Sequence, residues 1–160
     1  MAVETERKFL VEGESWREGA IAHRIRQGYL CHGNGDTAGV RIRICDAAAF
    51  ITIKGGKLDI SRLEYEYPIP VADAEEMLAA LCHRPLIEKV RHTLEYGGLE
   101  WVVDVFEGDN AGLVLAELEL DRADQPFEAP PWAGREVTLD PRYLNANLAR
   151  HPFRLWGRPG

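Results

Sequence analysis

Residues Val3–Val11 read VETERKFLV, and charged side chains occupy every second position from Glu4 to Lys8. In a β-strand, Glu4, Glu6 and Lys8 would point to one face while their neighbours point to the other. Two carboxylates and an ammonium in a row are typical of a solvated strand. They are also half of what a site for a metal ion and an anion requires. The alternation therefore predicts a strand, and the rest of the chain has to decide between these two interpretations.

The same period of two recurs along most of the sequence. It predicts eight strands, which lie in the segments VETERKFLV, IRQGYLC, GVRIRIC, AFITIKG, SRLEYEYPI, EKVRHTLEY, LEWVVDVFEG and LVLAELELD. Gly97 and Gly98 supply the turn of a hairpin between the sixth and seventh strands. Helices are predicted for 74–82, with Asp73 as N-cap, and for 141–150, opened by Asp140. The proline-rich connector 127–139 leaves room for one more short strand.

Composition limits the class of protein. The chain has 160 residues, 46% hydrophobic, and a net charge of -7, so we expect one domain over residues 1–160 and no broad basic surface for nucleic acid. The three cysteines Cys31, Cys45 and Cys82 form no CxxC pair, which favours a reducing, cytoplasmic compartment. No apolar run approaches the length of a membrane span, so no membrane partner is expected. The oligomeric state is left open between a monomer and a homodimer.

The charged face of these strands is unusual because it consists almost entirely of arginine, lysine, glutamate and aspartate. It carries seven cations and seven carboxylates: Lys8, Arg41, Arg43, Lys54, Arg62, Lys89, Arg91, Glu4, Glu6, Glu64, Glu66, Asp104, Glu117 and Glu119. The plain alternative is an open sheet with this face in water. If the sheet closes instead, the charges fill its interior, and burying so many is costly unless they pair or bind ions. A multiply charged anion bridged by divalent cations would satisfy both signs.

These residue types suit phosphate chemistry. Arginine and lysine grip phosphate oxygens, and clustered carboxylates hold Mg²⁺ or Mn²⁺. Phosphoryl transfer depends mostly on positioning and charge neutralisation. Other catalytic motifs, including the P-loop, the GxSxG elbow and HExxH, do not occur in the sequence.

The pattern resembles the CYTH domain, the family of triphosphate tunnel metalloenzymes, and is closest to its short, single-domain bacterial branch. The resemblance is carried by motifs in order along the chain: ExExK at Glu4–Lys8, QGYL, VRIR, TIK, RLEYE, EKVR, DVFEG, AELEL and EVTLDPRYLNANLA. It implies an α+β fold, namely an eight-stranded antiparallel β-barrel with a charged lumen and helices packed outside and at the C-terminus. The lumen would be the active site.

The resemblance also implies roles for individual residues. The metal-binding carboxylates would be Glu4, Glu6, Glu117 and Glu119, with Asp104 as a further ligand. The triphosphate would be bound by Lys8, Arg41, Arg43, Lys54, Arg62, Lys89 and Arg91. Two residues are candidates for the general base: Lys8, if neighbouring cations and burial depress its pKa, and Tyr29, with Lys89 as its partner.

The predicted function is hydrolysis of inorganic tripolyphosphate with Mg²⁺ or Mn²⁺. Alternatives within the same family are a class IV-like adenylate cyclase and a nucleoside or thiamine triphosphatase. A non-catalytic polyphosphate or nucleotide binder is a third alternative, and the carboxylates argue against it because a pure anion binder gains nothing from them.

Overall fold

The computed structural model describes residues 3–33, 37–58 and 60–157. Within these ranges the strands are β1 Val3–Val11, β2 Ile21–Cys31, β3 Gly39–Cys45, β4 Ala48–Leu58, β5 Ser61–Ile69, β6 Ile87–Tyr96, β7 Leu99–Phe106, β8 Val114–Leu120 and β9 Ala133–Glu136. The α-helices are α1 Val71–Ala80 and α2 Asn145–Arg150. Short 3-10 turns occupy Ser15–Arg17, Gly108–Asn110, Pro141–Tyr143 and Phe153–Leu155.

Strands β1 to β8 close into an antiparallel barrel in the order β1-β5-β4-β3-β2-β6-β7-β8, with β8 pairing back to β1. The closing contact is short, because only the first three residues of β1 pair with β5. Further along, β1 separates from β5 and pairs with β9 at Phe9 and Val11. The predicted eight-stranded barrel and the extra short strand in the proline-rich connector are both confirmed.

Strand register places the charged side chains inside. Glu6 lies opposite Glu119 and Lys8 opposite Glu117 across β1 and β8, so the carboxylates and cations of neighbouring strands share one face. The alternate residues face outward into two apolar clusters. One packs Ile42, Ile44 and Ala49 beneath Ala74 and Leu78 of α1, and the other is built around Phe9, Trp16, Trp101, Leu118 and Trp132. The charged lumen predicted from the alternation is confirmed.

One end of the barrel is filled by apolar side chains rather than charges. Ile87 precedes Lys89 by two residues on β6 and therefore shares its inward face, and Phe106 and Leu115 are placed in the same way on β7 and β8. Leu148 of α2 packs against these residues, and all four are almost completely buried. The short C-terminal helix thus plugs this end, so the charged space opens toward the other end.

The hairpin predicted between β6 and β7 is present, with Gly97 and Gly98 at φ 61° and 78°. The predicted start of α1 is wrong. Pro70, not Asp73, is the N-cap, and the first turn closes through a hydrogen bond from Ala74 N to Pro70 O. Asp73 lies inside the first turn, where its negative charge interacts favourably with the positive end of the helix dipole.

The second predicted helix is interrupted. Asp140 accepts a hydrogen bond from Arg142 N and opens only a single 3-10 turn. Leu144 then adopts an extended conformation (ψ 134°) before α2 begins. Leu148 faces the core, but the break turns Leu144 toward the charged cavity instead of the same apolar face.

In the described parts of the chain no helix is long and apolar enough to cross a membrane. Between β2 and β3, residues 34–36 lie outside the described residues.

Candidate active site

A cavity of about 310 Å³ lies inside the barrel. Its wall contains the seven predicted cations Lys8, Arg41, Arg43, Lys54, Arg62, Lys89 and Arg91. It also contains Tyr29 and the carboxylates Glu4, Glu6, Glu64, Glu66, Glu117 and Glu119. Eight strands and the start of α2 contribute to this wall. The structure therefore brings together in one space every predicted site residue except Asp104.

One side of the cavity is an acidic pole formed by Glu4, Glu6, Glu64 and Glu119. Burial and the carboxylates of Glu4 and Glu64 raise the pKa of Glu119, and burial with the charge of Glu117 raises that of Glu6. Lys54 Nζ lies 2.6 Å from Glu4 Oε2 and 3.1 Å from Glu64 Oε2. The Lys54 ammonium does not cancel the upward shift in the pKa values of Glu6 and Glu119. The acidic pole can therefore accept further positive charge.

The facing side is a basic pole formed by Arg41, Arg43 and Arg91. Burial lowers the pKa of Arg43 to about 9, and the guanidinium groups of Arg41 and Arg91 add to the effect. Arg43 Nε donates to Gln27 Oε1 at 2.8 Å, which fixes the guanidinium without neutralising it. Crowded, partly desolvated cations of this kind favour a bound anion.

Lys8 lies between carboxylates rather than between cations. Its Nζ donates to Glu117 Oε1 at 2.6 Å and lies 3.2 Å from Glu6 Oε1. Burial alone would lower the pKa of Lys8, but Glu117 and Glu6 outweigh it and raise the pKa above its usual value. The premise for Lys8 as a general base, a pKa depressed by neighbouring cations, is therefore not met.

The resemblance implies that Asp104 is a metal ligand, but Asp104 does not line the cavity. It is fully buried behind the basic pole, where Lys89 Nζ lies 2.8 Å from Oδ2 and Arg91 Nε lies 2.8 Å from Oδ1. Burial would raise the pKa of this carboxyl, yet Arg91 and Lys89 lower it to about 2. With both oxygens already engaged, Asp104 acts as the counter-ion of two cavity cations.

Two residues that the sequence interpretation missed join the candidate base to the cavity wall. Gln27 Nε2 donates to the Tyr29 hydroxyl at 3.1 Å and to Asn145 Oδ1 at 3.3 Å. Asn145 Oδ1 also accepts from Lys89 Nζ at 2.9 Å. Burial lowers the pKa of Lys89 to about 7, helped by Arg91 and Arg43 and opposed by Asp104. Tyr29 and Lys89 are thus connected through two fixed amides.

The sequence could have indicated Gln27, because residues two apart in a strand point to the same face and Gln27 is two residues before Tyr29. Asn145 had no such signal, since its position depends on how α2 enters the barrel end.

A profile of the CYTH domain matches residues 2–151. The chain belongs to the CYTH domain family. The resemblance drawn from the ordered motifs is confirmed, and the match includes every strand of the barrel.

Two curated relatives of this CYTH chain are both described as inorganic triphosphatases. An inorganic triphosphatase of Acetivibrio thermocellus is 46% identical over 154 residues, covering 96% of this chain and 97% of the relative. An inorganic triphosphatase of Nitrosomonas europaea is 40% identical over 152 residues, covering 91% and 96%. Among solved structures, the crystal structure of an inorganic triphosphatase aligns with a TM-score of 0.63 and 36% identity, covering 100% of this chain and 99% of that chain.

Proposed function

We propose that this CYTH protein is a metal-dependent inorganic triphosphatase that hydrolyses tripolyphosphate inside the barrel. The observation that carries the proposal is the pairing of an acidic pole and a basic pole across one cavity. Burial is the largest cause of the raised pKa values of Glu6 and Glu119 and of the lowered pKa of Arg43, and like charges within each pole add to each shift. In a complex of a divalent cation with a triphosphate, the cation would neutralise the acidic pole and the triphosphate would neutralise the basic pole. The two curated relatives described as inorganic triphosphatases support the same reaction.

The acidic pole fits a divalent metal ion. Its donors are carboxylate oxygens, the ligands that Mg²⁺ and Mn²⁺ prefer. We assign Glu4, Glu6 and Glu119 to the ion, with Glu117 beside them holding Lys8. When bound, the metal would withdraw charge from phosphate oxygens as a Lewis acid. Assays with each ion separately measure the preference between Mg²⁺ and Mn²⁺.

The basic pole would hold the substrate. Arg41 and Arg43 extend from β3 and Arg91 from β6 into the same space, so their guanidinium groups can donate to oxygens of successive phosphates. Lys54, Arg62 and Lys8 line the wall near the acidic pole, where they would grip the phosphate nearest the metal. Positioning by these fixed donors is the main contribution that phosphoryl transfer requires from a protein.

The general base is assigned to the pair Tyr29 and Lys89. Because the Tyr29 hydroxyl accepts a hydrogen bond from Gln27, its own proton is directed to another partner. Lys89, with a pKa of about 7, exchanges a proton near neutral pH. Water would attack the terminal phosphorus and lose a proton to this pair, the bridging P–O bond would break with its electrons leaving on pyrophosphate, and the products would be orthophosphate and pyrophosphate.

A phosphate-release panel tests the proposal. The purified protein is assayed with tripolyphosphate, ATP, thiamine triphosphate and pyrophosphate, each with Mg²⁺ and with Mn²⁺. We expect tripolyphosphate to have the highest kcat/KM. Preference for ATP with cyclic AMP as product would replace the proposal with a cyclase, and tight binding without release of phosphate would replace it with a polyphosphate binder.

A further inference from the structure

Three chemically distinct side chains meet at the edge of the barrel outside the cavity wall. They are His23 on β2, Cys45 at the end of β3, and Asp46 in the turn that leads into β4. One ligand atom from each lies within 4.8 Å of the others. Ile25, which is 1% exposed, separates His23 from Gln27 along β2.

The fold brings these residues together by strand register. Cys45 lies opposite Ile25, so His23, two residues from Ile25, projects on the same face and beside the end of β3. Asp46 has φ 52°, and among the described residues it is the one non-glycine with positive φ. This left-handed conformation turns its carboxylate back over β2, where Oδ1 accepts from Arg24 N at 2.9 Å and Oδ2 lies 2.7 Å from His23 Nδ1.

The donor set differs from that of the acidic pole. It offers one imidazole nitrogen, one sulfur and one carboxylate oxygen, the mixture that zinc and cobalt accept with water in a fourth position. Tetrahedral bonds to these donors would place them about 3.3–3.7 Å apart. His23 Nδ1 and Asp46 Oδ2, now 2.7 Å apart, would therefore separate slightly on binding, which the exposed turn at Asp46 permits.

We propose that His23, Cys45 and Asp46 form a second metal site that takes Zn²⁺ or Co²⁺ and is separate from the acidic pole. Binding releases the thiol proton, and the thiolate and carboxylate together neutralise the divalent charge. The neighbouring Arg24 side chain is turned away, with Nη2 2.7 Å from Glu107 Oε1. A bound ion would cross-link β2 to the β3–β4 turn.

Titration with Co²⁺ tests this site, because a cobalt–thiolate bond absorbs in the near ultraviolet and cobalt bound by oxygen alone does not. In saturating Mg²⁺, which occupies oxygen-only sites, wild-type protein should develop the band at one equivalent of Co²⁺. Cys45→Ser should abolish it, His23→Gln and Asp46→Asn should weaken Co²⁺ binding at least tenfold, and Zn²⁺ should displace the cobalt. The matched controls Cys31→Ser and Cys82→Ser should keep the band. Circular dichroism melts identify any variant that fails to fold.

Three outcomes would overturn the proposal. One is the lack of a thiolate band in folded wild-type protein. Another is a band that survives Cys45→Ser, which would assign the cobalt to another thiol. The third is a band that needs Cys45 but binds Co²⁺ equally well in folded His23→Gln, which would indicate a simple thiol adduct. If Cys45→Ser does not fold, the His23→Gln and Asp46→Asn titrations decide the matter.

Discussion

Lys8 Nζ lies 2.6 Å from Oε1 of Glu117, and the two side chains are 5% and 11% exposed. This buried ion pair keeps Lys8 protonated, because its carboxylate neighbours raise its pKa. The residue is thereby suited to bind phosphate and unsuited to accept a proton from water.

We therefore predict that Lys8→Gln lowers kcat/KM for tripolyphosphate about 10- to 100-fold, the loss of one charge-assisted hydrogen bond. The pH-rate profile should keep its wild-type midpoints, because the titrating base is still present. Lys8→Arg, which retains the charge, is the matched control and should recover part of the activity. Disappearance of the acid limb in Lys8→Gln would show that Lys8 is the base after all.

Asp104→Asn should destabilise the protein by about 3–5 kcal/mol, because it leaves the fully buried Lys89 without its counter-ion and removes from Arg91 the nearer of its two carboxylate partners. Urea unfolding at pH 7 measures the difference. Since the pKa of Asp104 is lowered to about 2, its stabilisation is present above the ordinary value of 3.8 and is lost as the pH falls through 2. The variant should accordingly lose less stability than wild type on acidification.

The control for this prediction is Asp109→Asn. Asp109 pairs with Arg154 at 3.0 Å, with the two side chains 36% and 58% exposed, so its removal should cost less than about 1 kcal/mol. Equal effects of the two substitutions would contradict the role of Asp104 as a buried counter-ion.

Glu119→Gln should lower turnover of tripolyphosphate about 100-fold or more at limiting metal, because it removes one charged ligand from the acidic pole. Excess Mn²⁺ should restore part of the rate. The metal-free variant should be at least as stable as wild type, since burial, Glu4 and Glu64 raise the pKa of Glu119 and its charge is therefore unfavourable there.

Glu95→Gln provides the matched control, because Glu95 is exposed on the same barrel and does not line the cavity. Wild-type turnover by Glu119→Gln at limiting metal would remove Glu119 from the ligand set.

Asn145→Asp should shift the pH dependence of kcat. A carboxylate in place of the amide oxygen, 2.9 Å from Lys89 Nζ, would raise the pKa of Lys89 from about 7 by about one unit or more. The limb of the pH-rate profile that depends on Lys89 should move to higher pH by the same amount.

Asn147→Asp changes charge equally on the same helix, but its amide is turned toward Pro141 O, at 2.7 Å, so its profile should stay unchanged. Identical profiles for Asn145→Asp and wild type would exclude Lys89 as the titrating group.

The sequence alone determined the strands, their inward charges and the family. Period-two alternation has a direct physical meaning, because successive side chains of a strand point to opposite faces. The pattern at Glu4, Glu6 and Lys8 therefore predicted one face correctly, and the purity of that face favoured a closed barrel over an open sheet. The hairpin at Gly97 and Gly98 followed from local backbone preference in the same way.

Only the tertiary structure decided how the charges are paired. Whether Lys8 meets cations or carboxylates depends on which strands are neighbours in the closed barrel, and Asp104 turns out to be enclosed by Lys89 and Arg91. The pKa of a buried group is set by such neighbours and by the water it loses, neither of which is local in sequence. Asn145 lies in the site for the same reason, since its position depends on the packing of α2 against a barrel end that is built from strands distant in sequence.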